Sequence, residues 1–356
     1  MVDAKKTLVD FKAKVDPEVE AFFVRTIAET KKVDDNIAAA LEHARKITTS
    51  GGKRARAAFM YYGYLAAGGK NKKEIIKTSV SIELIHTFLL IHDDIIDRDG
   101  LRHGVKTIHV HYGEMAKRYF KNKDAAHFGN SMAIIMGDML GALGNQVLFE
   151  SKFDSALIIK ALQKLQGIIA FTVIGEAEDV IIENRGRATE KEIFRMYENK
   201  TAKYTIEGPL HLGAILAGAD KKLLEALSAY SIPAGIAFQI QDDILGVFGV
   251  SKKTGKPVGS DVRQGKQTIL VAKTLEKANR AQKAIIKNCL GNDNLTQADL
   301  EQFRKVIIET GSLEYAQKLA NKLIVEAKEK IEKVVMKKEA KNFLLGIADY
   351  MLNREV

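Results

Sequence analysis

The chain of 356 residues holds a single cysteine, Cys289. No disulfide can form within it, and a thiolate metal site is excluded. It holds only four prolines, and no sustained alternation of apolar and polar residues meets flanking turn signals. The apolar spacing is helical instead and predicts an all-α fold. The opening residues, Met1-Val2-Asp3-Ala4-Lys5-Lys6, lack the apolar core of a secretory signal. With the lone cysteine, this leads us to expect a cytoplasmic protein. The longest apolar stretch, about Met132 to Phe149, is interrupted by Asp138 and rich in small residues, and reads as a buried helix rather than a membrane span. A nucleic-acid motif is also missing. The formal net charge is +10, from 55 Lys and Arg against 45 Asp and Glu, but the lysines spread along helical faces. This argues against nucleic acid as a partner and leaves at most peripheral contact with anionic lipid. It favours a basic pocket for anions beneath a solvated, lysine-rich surface.

What is present is a helical chain with no fixed-period repeat and no convincing linker, read as a single domain over 1–356. Residues 8–48 form one or two amphipathic helices, with Leu8, Phe11, Val15, Val19, Phe22 and Phe23 on one face for packing or dimer contact. Residues 156–180 form a long helix, with Glu176, Glu178 and Asp179 near its end, solvated or one step behind a site. Gly208-Pro209 should kink its helix. Thr296-Gln297-Ala298-Asp299 opens a helix in the manner of a capping box. The lysine-rich run from Lys328 to Lys341 reads as a solvated face.

The chemistry starts at Ile82–Asp97, an apolar helix ending in Asp93, Asp94 and Asp97. Asp93 and Asp97 lie one turn apart on one face, with carboxyls roughly 6 Å apart. Like charges at the end of an apolar helix repel each other and are costly to desolvate, so a cation should offset them. Oxygen ligands without Cys or a neighbouring His pair point to magnesium rather than zinc. A second apolar helix, Gly235–Gly246, runs into Asp242 and Asp243. Two acidic helix ends facing across a cavity make a site for a diphosphate bridged by Mg2+. Thr48–Ala57 is a glycine-bearing turn opening into a helix, where Lys53 and Arg56 share a face as a possible phosphate clamp. Taken alone, the same residues also describe a solvated basic helix start.

The run Asp93-Asp94-Ile95-Ile96-Asp97, then Arg102 and Gly104, paired with Phe238-Gln239-Ile240-Gln241-Asp242-Asp243, resembles the trans-isoprenyl diphosphate synthases, or polyprenyl synthetases, from about Gly51 to the C-terminus. The resemblance implies a helical bundle around a central cavity and a homodimer packed through helices. It also implies up to three Mg2+ ions, and the condensation of an allylic diphosphate with isopentenyl diphosphate. Asp93, Asp94, Asp97, Asp242 and Asp243 would then ligate metal, directly or through water. Lys53, Arg56 and His86 would hold isopentenyl diphosphate, in a stretch where Ala57 replaces the usual proline. Arg102 would meet the allylic diphosphate. His103 replaces a second arginine and would still donate to isopentenyl diphosphate. Lys200, followed by Thr201, would bind the allylic diphosphate and the charge developing on it. Gln239, four residues before Asp243, would also meet substrate, and Gly246 stands where a third aspartate is usual. Lys256 and Lys266, in a glycine-rich basic loop, would hold diphosphate, with Asp261 joining the metal or orienting network. Asp138, in an apolar helix, would be paired and structural. In such enzymes bulk four and five residues before the first aspartate shortens the product. Here these are Leu89 and Phe88, which implies a C20 product, with C15 next.

Other readings are a terpene cyclase, a noncatalytic subunit of a hetero-oligomeric synthase and a basic helical nucleic-acid binder. The Gly51–Arg56 clamp and the missing Asn/Ser/Glu metal motif argue against a cyclase. The near-complete acidic set argues against a noncatalytic subunit.

Overall fold

A computed structural model describes residues 3–120, 124–249 and 259–352. The described chain runs α1 (Ala4–Lys31), α2 (Asp35–Thr49), α3 (Ala55–Ala66), α4 (Lys72–Thr78), α5 (Val80–Ile96), β1 (Leu101–Arg102), β2 (Val105–Lys106) and α6 (Ile108–Met115). A π turn, Ala116–Phe120, precedes α7 (Ala125–Phe149), α8 (Ser155–Arg185) and α9 (Glu190–Tyr197). A π-helical segment, Glu198–Glu207, joins α9 to α10 (Gly208–Leu216), and α11 (Lys221–Phe248) follows. Six helices complete the order: α12 (Ser260–Gln264), α13 (Ile269–Lys277), α14 (Arg280–Cys289), α15 (Gln297–Glu309), α16 (Ser312–Glu332) and α17 (Lys338–Leu352).

The all-α expectation is met, with one addition. β1 and β2 form a minimal hairpin, pairing Leu101 with Lys106 and Arg102 with Val105. Its turn residues, His103 and Gly104, both have positive φ, 51° and 79°. Two left-handed central residues make the tight turn whose twist suits a hairpin. The turn places Arg102 back over the end of α5.

Helices close into a ring. In order of contact it runs α5, α7, α8, the π segment, α11, α17, α3 and back to α5. One apolar cluster extends from Ala4 to Met351. The apolar face of α1 is buried as expected, from Leu8 through Phe23, and it packs within the chain against α2 and α17. Caps set the boundaries. Asp154 accepts from Ala156 N and Leu157 N to start α8, and Thr296 forms the expected capping box with Asp299.

Several local expectations are corrected. At Gly208-Pro209 the helix changes type rather than running on as one α-helix. The ten-residue π stretch before it widens the turns, and Pro209 sits at the start of α10, where a missing N–H costs little. Asp138 is exposed and needs no buried partner; the His92 ring lies 3.7 Å away. The helix carrying it is not sealed in the core either. Among the described residues, four helical stretches are, by length and composition alone, apolar enough to cross a membrane: 72–96, α7, α8 and α11. Only 39% of that window in α7 and 33% in α8 lies inside the fold, so both present apolar surface.

The π segment is wedged between α8 and α11. A Cβ at Gly175 of α8 would overlap the backbone nitrogen of Lys200, and one at Gly235 of α11 would overlap Ala202. Lys200 is thus brought close to α8 by backbone contact. Gly175→Ala should cost about 1–3 kcal/mol of stability in urea unfolding, because no flexible side chain is there to give way.

Candidate active site

The acidic cluster is built from two helices. Asp93 and Asp97 at the end of α5 and Glu176 of α8 each offer a carboxylate oxygen, all within 4.8 Å of one another. Two lysines face them. Lys200 Nζ lies 2.7 Å from Glu176, 2.7 Å from Asp179 and 3.9 Å from Asp93. Lys266 Nζ lies 2.8 Å from Asp97, 3.1 Å from Asp179 and 3.3 Å from Glu183. Burial opposes the charge on Lys200, but the surrounding carboxylates, Asp179 foremost, outweigh it and raise its pKa. Burial likewise pushes Asp179 up, yet Lys200 and Lys266 together hold it below the usual range. Glu176 stays above its usual range because burial outweighs Lys200. Its Oε1 is buried with no hydrogen-bond partner among the described residues. An orphaned carboxylate oxygen in an all-oxygen donor set fits a hard cation such as Mg2+.

Asp94 does not join this cluster. A helix rotates about 100° per residue, which carries Asp94 off the Asp93–Asp97 face. It is 1% exposed and accepts from Arg102 Nη2 and, at 2.9 Å, from Arg102 Nε. Burial pushes its pKa up to about 7 against the pull of Arg102. Its geometry suits holding Arg102 better than holding metal. Arg102 in turn lies 3.6 Å from Asp93 and 3.4 Å from Asp99.

The second acidic motif divides in the same way. Asp242 lines the central cavity. Asp243, at the cavity's edge but more deeply buried, accepts from Tyr197 Oη and, at 2.9 Å, from Gln239 Nε2. Tyr197 Oη itself accepts from Ile269 N at 3.0 Å, and Gln239 Oε1 from Thr201 Oγ1 at 2.6 Å. Thr201 and Gln239, expected on substrate, thus join Asp243 in a polar chain that ties α11 to the π segment and α13. Asp243 is spent on that chain, and its burial raises its pKa. Gly246 has a spatial reason: a Cβ there would overlap the Asp261 carboxylate, which already occupies that space.

The cavity, about 1160 Å³, is basic on its other side, where Lys53, Arg56 and His103 line it with Arg102. Arg56 Nη2 donates to Thr205 Oγ1 at 2.9 Å, and its guanidinium lies over the Tyr204 ring. Arg56 Nη1 is 3.1 Å from His86 Nε2, and His86 Nδ1 is 2.9 Å from Tyr204 Oη. Arginine only donates, so Nε2 accepts and the imidazole proton sits on Nδ1. Burial, reinforced by Arg56 and Arg102, holds His86 well below its usual pKa. It lines the cavity as a neutral ring that orients Arg56. His103 is also lowered, by partial burial and by Arg102. Lys256 lies outside the described residues. The Phe88 ring rests against Gly141 of α7 and edge-on to His92, with centroids 5.0 Å apart. Phe88 and Leu89 are both half-buried against the core.

A family model described as polyprenyl synthetase matches residues 38–307. The chain belongs to the polyprenyl synthetase family. Over 325 residues this synthetase is 36% identical to the geranylgeranyl diphosphate synthase of Saccharolobus solfataricus, covering 90% of this chain and 92% of that protein. It is 33% identical to the geranylfarnesyl diphosphate synthase of Aeropyrum pernix, covering 86% and 91%. Among solved structures, a geranylgeranyl pyrophosphate synthase from Corynebacterium glutamicum, complexed with isoprenyl diphosphate and magnesium, superposes with a TM-score of 0.90. That structure is 30% identical, with 99% of this chain and 100% of that one covered.

The sequence pattern left Glu176 and Asp179 as solvated or one step behind a site, and did not single out Glu183. Their spacing of three and four residues puts them on one face of an otherwise apolar helix, and buried carboxylates on one face demand cations. That signal was legible. Glu176→Gln should weaken Mn2+ binding about tenfold in the presence of pyrophosphate, read by electron paramagnetic resonance, with the melting temperature little changed.

Proposed function

We propose that this prenyltransferase condenses isopentenyl diphosphate with an allylic diphosphate and releases geranylgeranyl diphosphate, a trans C20 product. The observation that carries the reading is one cavity with two unlike walls. One wall offers cations alone, Lys53 and Arg56. The other presents Asp242, and Arg102, between the two, leads through its contact with Asp93 to the Asp93–Asp97–Glu176 cluster. A diphosphate that only needs holding fits the first wall. One that must leave fits the second.

Asp93, Asp97, Glu176 and Asp242 would hold up to three Mg2+, supplying Lewis acidity toward the diphosphate oxygens. Lys200, Lys266 and Arg102 carry positive charge to the same place. In this state they are engaged with carboxylates, and they are poised to stabilise the charge that grows on the departing diphosphate. The allylic C–O bond breaks with its electron pair staying on the diphosphate. Lys53 and Arg56 hold isopentenyl diphosphate so that its double bond reaches the allylic carbon, and the new C–C bond forms. A proton is then lost from the adjacent carbon to the departed diphosphate, so no side-chain base is required. Asp94 and His86 act one step back, by orienting Arg102 and Arg56.

The C20 assignment rests on Phe88 below Asp93 and on the relatives described as geranylgeranyl diphosphate synthases. A homodimer in the cytoplasm is part of this reading. Exposed Ile134, Ile135 and Phe149 of α7, with Phe171, Ile174 and Ile181 of α8, are the apolar surface it would cover. The test is incorporation of radiolabelled isopentenyl diphosphate with C5, C10 and C15 primers and Mg2+. A C20 product is expected from the C15 primer, and Phe88→Ala should carry elongation beyond C20. No incorporation with any primer would overturn the enzymatic reading. An unchanged product in the variant would remove Phe88 as the ruler.

A further inference from the structure

Between the two clamp cations stands a residue that the reaction does not use. Arg54 immediately precedes α3 and has φ 53°, in the left-handed region that side chains rarely adopt. It is also 5% exposed. Its Nε donates to Asp16 Oδ1 of α1 at 2.7 Å, and its Nη1 to Glu83 Oε2 of α5 at 3.3 Å. Glu83, itself 3% exposed, uses its other oxygen to accept from Ala57 N at 3.1 Å, inside the first turn of α3. Arg54 Nη2 is buried with no partner among the described residues.

For stability alone this is a poor choice. It combines a strained backbone, a buried guanidinium and an orphaned donor. Strain of this kind persists only where the surroundings over-determine it, and it concentrates at functional sites. What the strain secures is a direction. Lys53 and Arg56, on either side of Arg54, both line the cavity; Arg54 borders it too, but its guanidinium is buried and turned to Asp16 and Glu83. Relaxation of residue 54 into the right-handed region would swing the chain before α3 and turn Lys53 away from Arg56. The guanidinium, pinned to α1 and α5 at once, blocks that relaxation. Lys53 is steadied separately, its ammonium 5.0 Å from the centre of the Tyr350 ring.

We propose that Arg54 is a positioning residue: its ion pairs with Asp16 and Glu83 hold the left-handed turn that sets Lys53 and Arg56 at the spacing a diphosphate needs. The inference rests on the reading that these two cations hold isopentenyl diphosphate. It makes Asp16, a half-exposed residue of the first helix, a contributor to substrate affinity.

The experiment compares Asp16→Asn, Arg54→Lys and Arg54→Gly in the full chain, with Lys53→Ala and Arg56→Ala as controls. Glycine accepts the left-handed turn without strain, so Arg54→Gly separates loss of the brace from loss of the backbone conformation. Steady-state kinetics and calorimetric binding of isopentenyl diphosphate are measured beside thermal melts. Arg54→Gly should raise the KM for isopentenyl diphosphate about tenfold, and Asp16→Asn about threefold, with kcat at saturation and the allylic KM little changed. Arg54→Lys, which keeps the charge but not the fork, should fall between wild type and Arg54→Gly. A lowered melting temperature with isopentenyl diphosphate affinity intact would reduce Arg54 to a structural residue and overturn the proposal. If the Lys53 and Arg56 controls leave that KM unchanged, the clamp reading falls, and the brace falls with it. If the controls raise it and the Arg54 and Asp16 variants do not, only the brace falls.

Discussion

The structure turns on the pairing of Lys200 and Lys266 with five carboxylates, Glu183 the outermost, at the meeting of α5 and α8. Asp93, Asp97, Glu176 and Asp179 are too close together to be charged and desolvated without cations. Two lysines from different segments answer that need in this state. Each arrives by a different route. Lys200 comes on the π segment, pressed against Gly175, and Lys266 follows α12 after a turn at Gly265 with φ 82°. The ring of helices closes around that meeting point. In the proposed reaction the same cations would serve the diphosphate, with metal held by the carboxylates.

A second theme is division of labour between adjacent identical residues. Asp93 faces the cluster while Asp94 holds Arg102. Asp242 faces the cavity while Asp243 binds Tyr197 and Gln239. The cause is the 100° step of the α-helix, which sends neighbours to different environments. One member of each pair is partly exposed; the other is buried and must find donors inside the protein. The buried members are not idle. Asp94 sets the reach of Arg102, and Asp243 locks α11 to the segment that carries Lys200. On the basic wall Arg54 and Arg56 both border the cavity, but Arg54 is committed to Asp16 and Glu83.

The departures from the family pattern have spatial accounts. Gly246 leaves room for the Asp261 carboxylate, so an acidic group occupies that region without an aspartate at 246. His103 sits in the left-handed turn of the hairpin, against Gly51 of the clamp turn, so the hairpin and the clamp touch through it. The exposed apolar surface of α7 and α8 gives the long helices a face that a second copy can cover.

The amino-acid order by itself determined the all-α class, the two acidic helix ends, the basic turn before α3 and the family. These are local patterns: helical periodicity, caps and short runs of charge, readable because the residues concerned lie within a few turns of each other. It also held a signal for Glu176, Asp179 and Glu183, whose spacing shares one face of an apolar helix. Only the tertiary structure decided which of each aspartate pair meets the cavity, which carboxylates share a lysine, and that His86 is neutral. It alone brought Asp16, 38 residues away in sequence, onto Arg54. The physical reason is that charge, burial and hydrogen-bond state belong to neighbourhoods. Those neighbourhoods are assembled here from α1, α3, α5, α8, α11 and the π segment, so no local stretch contains them.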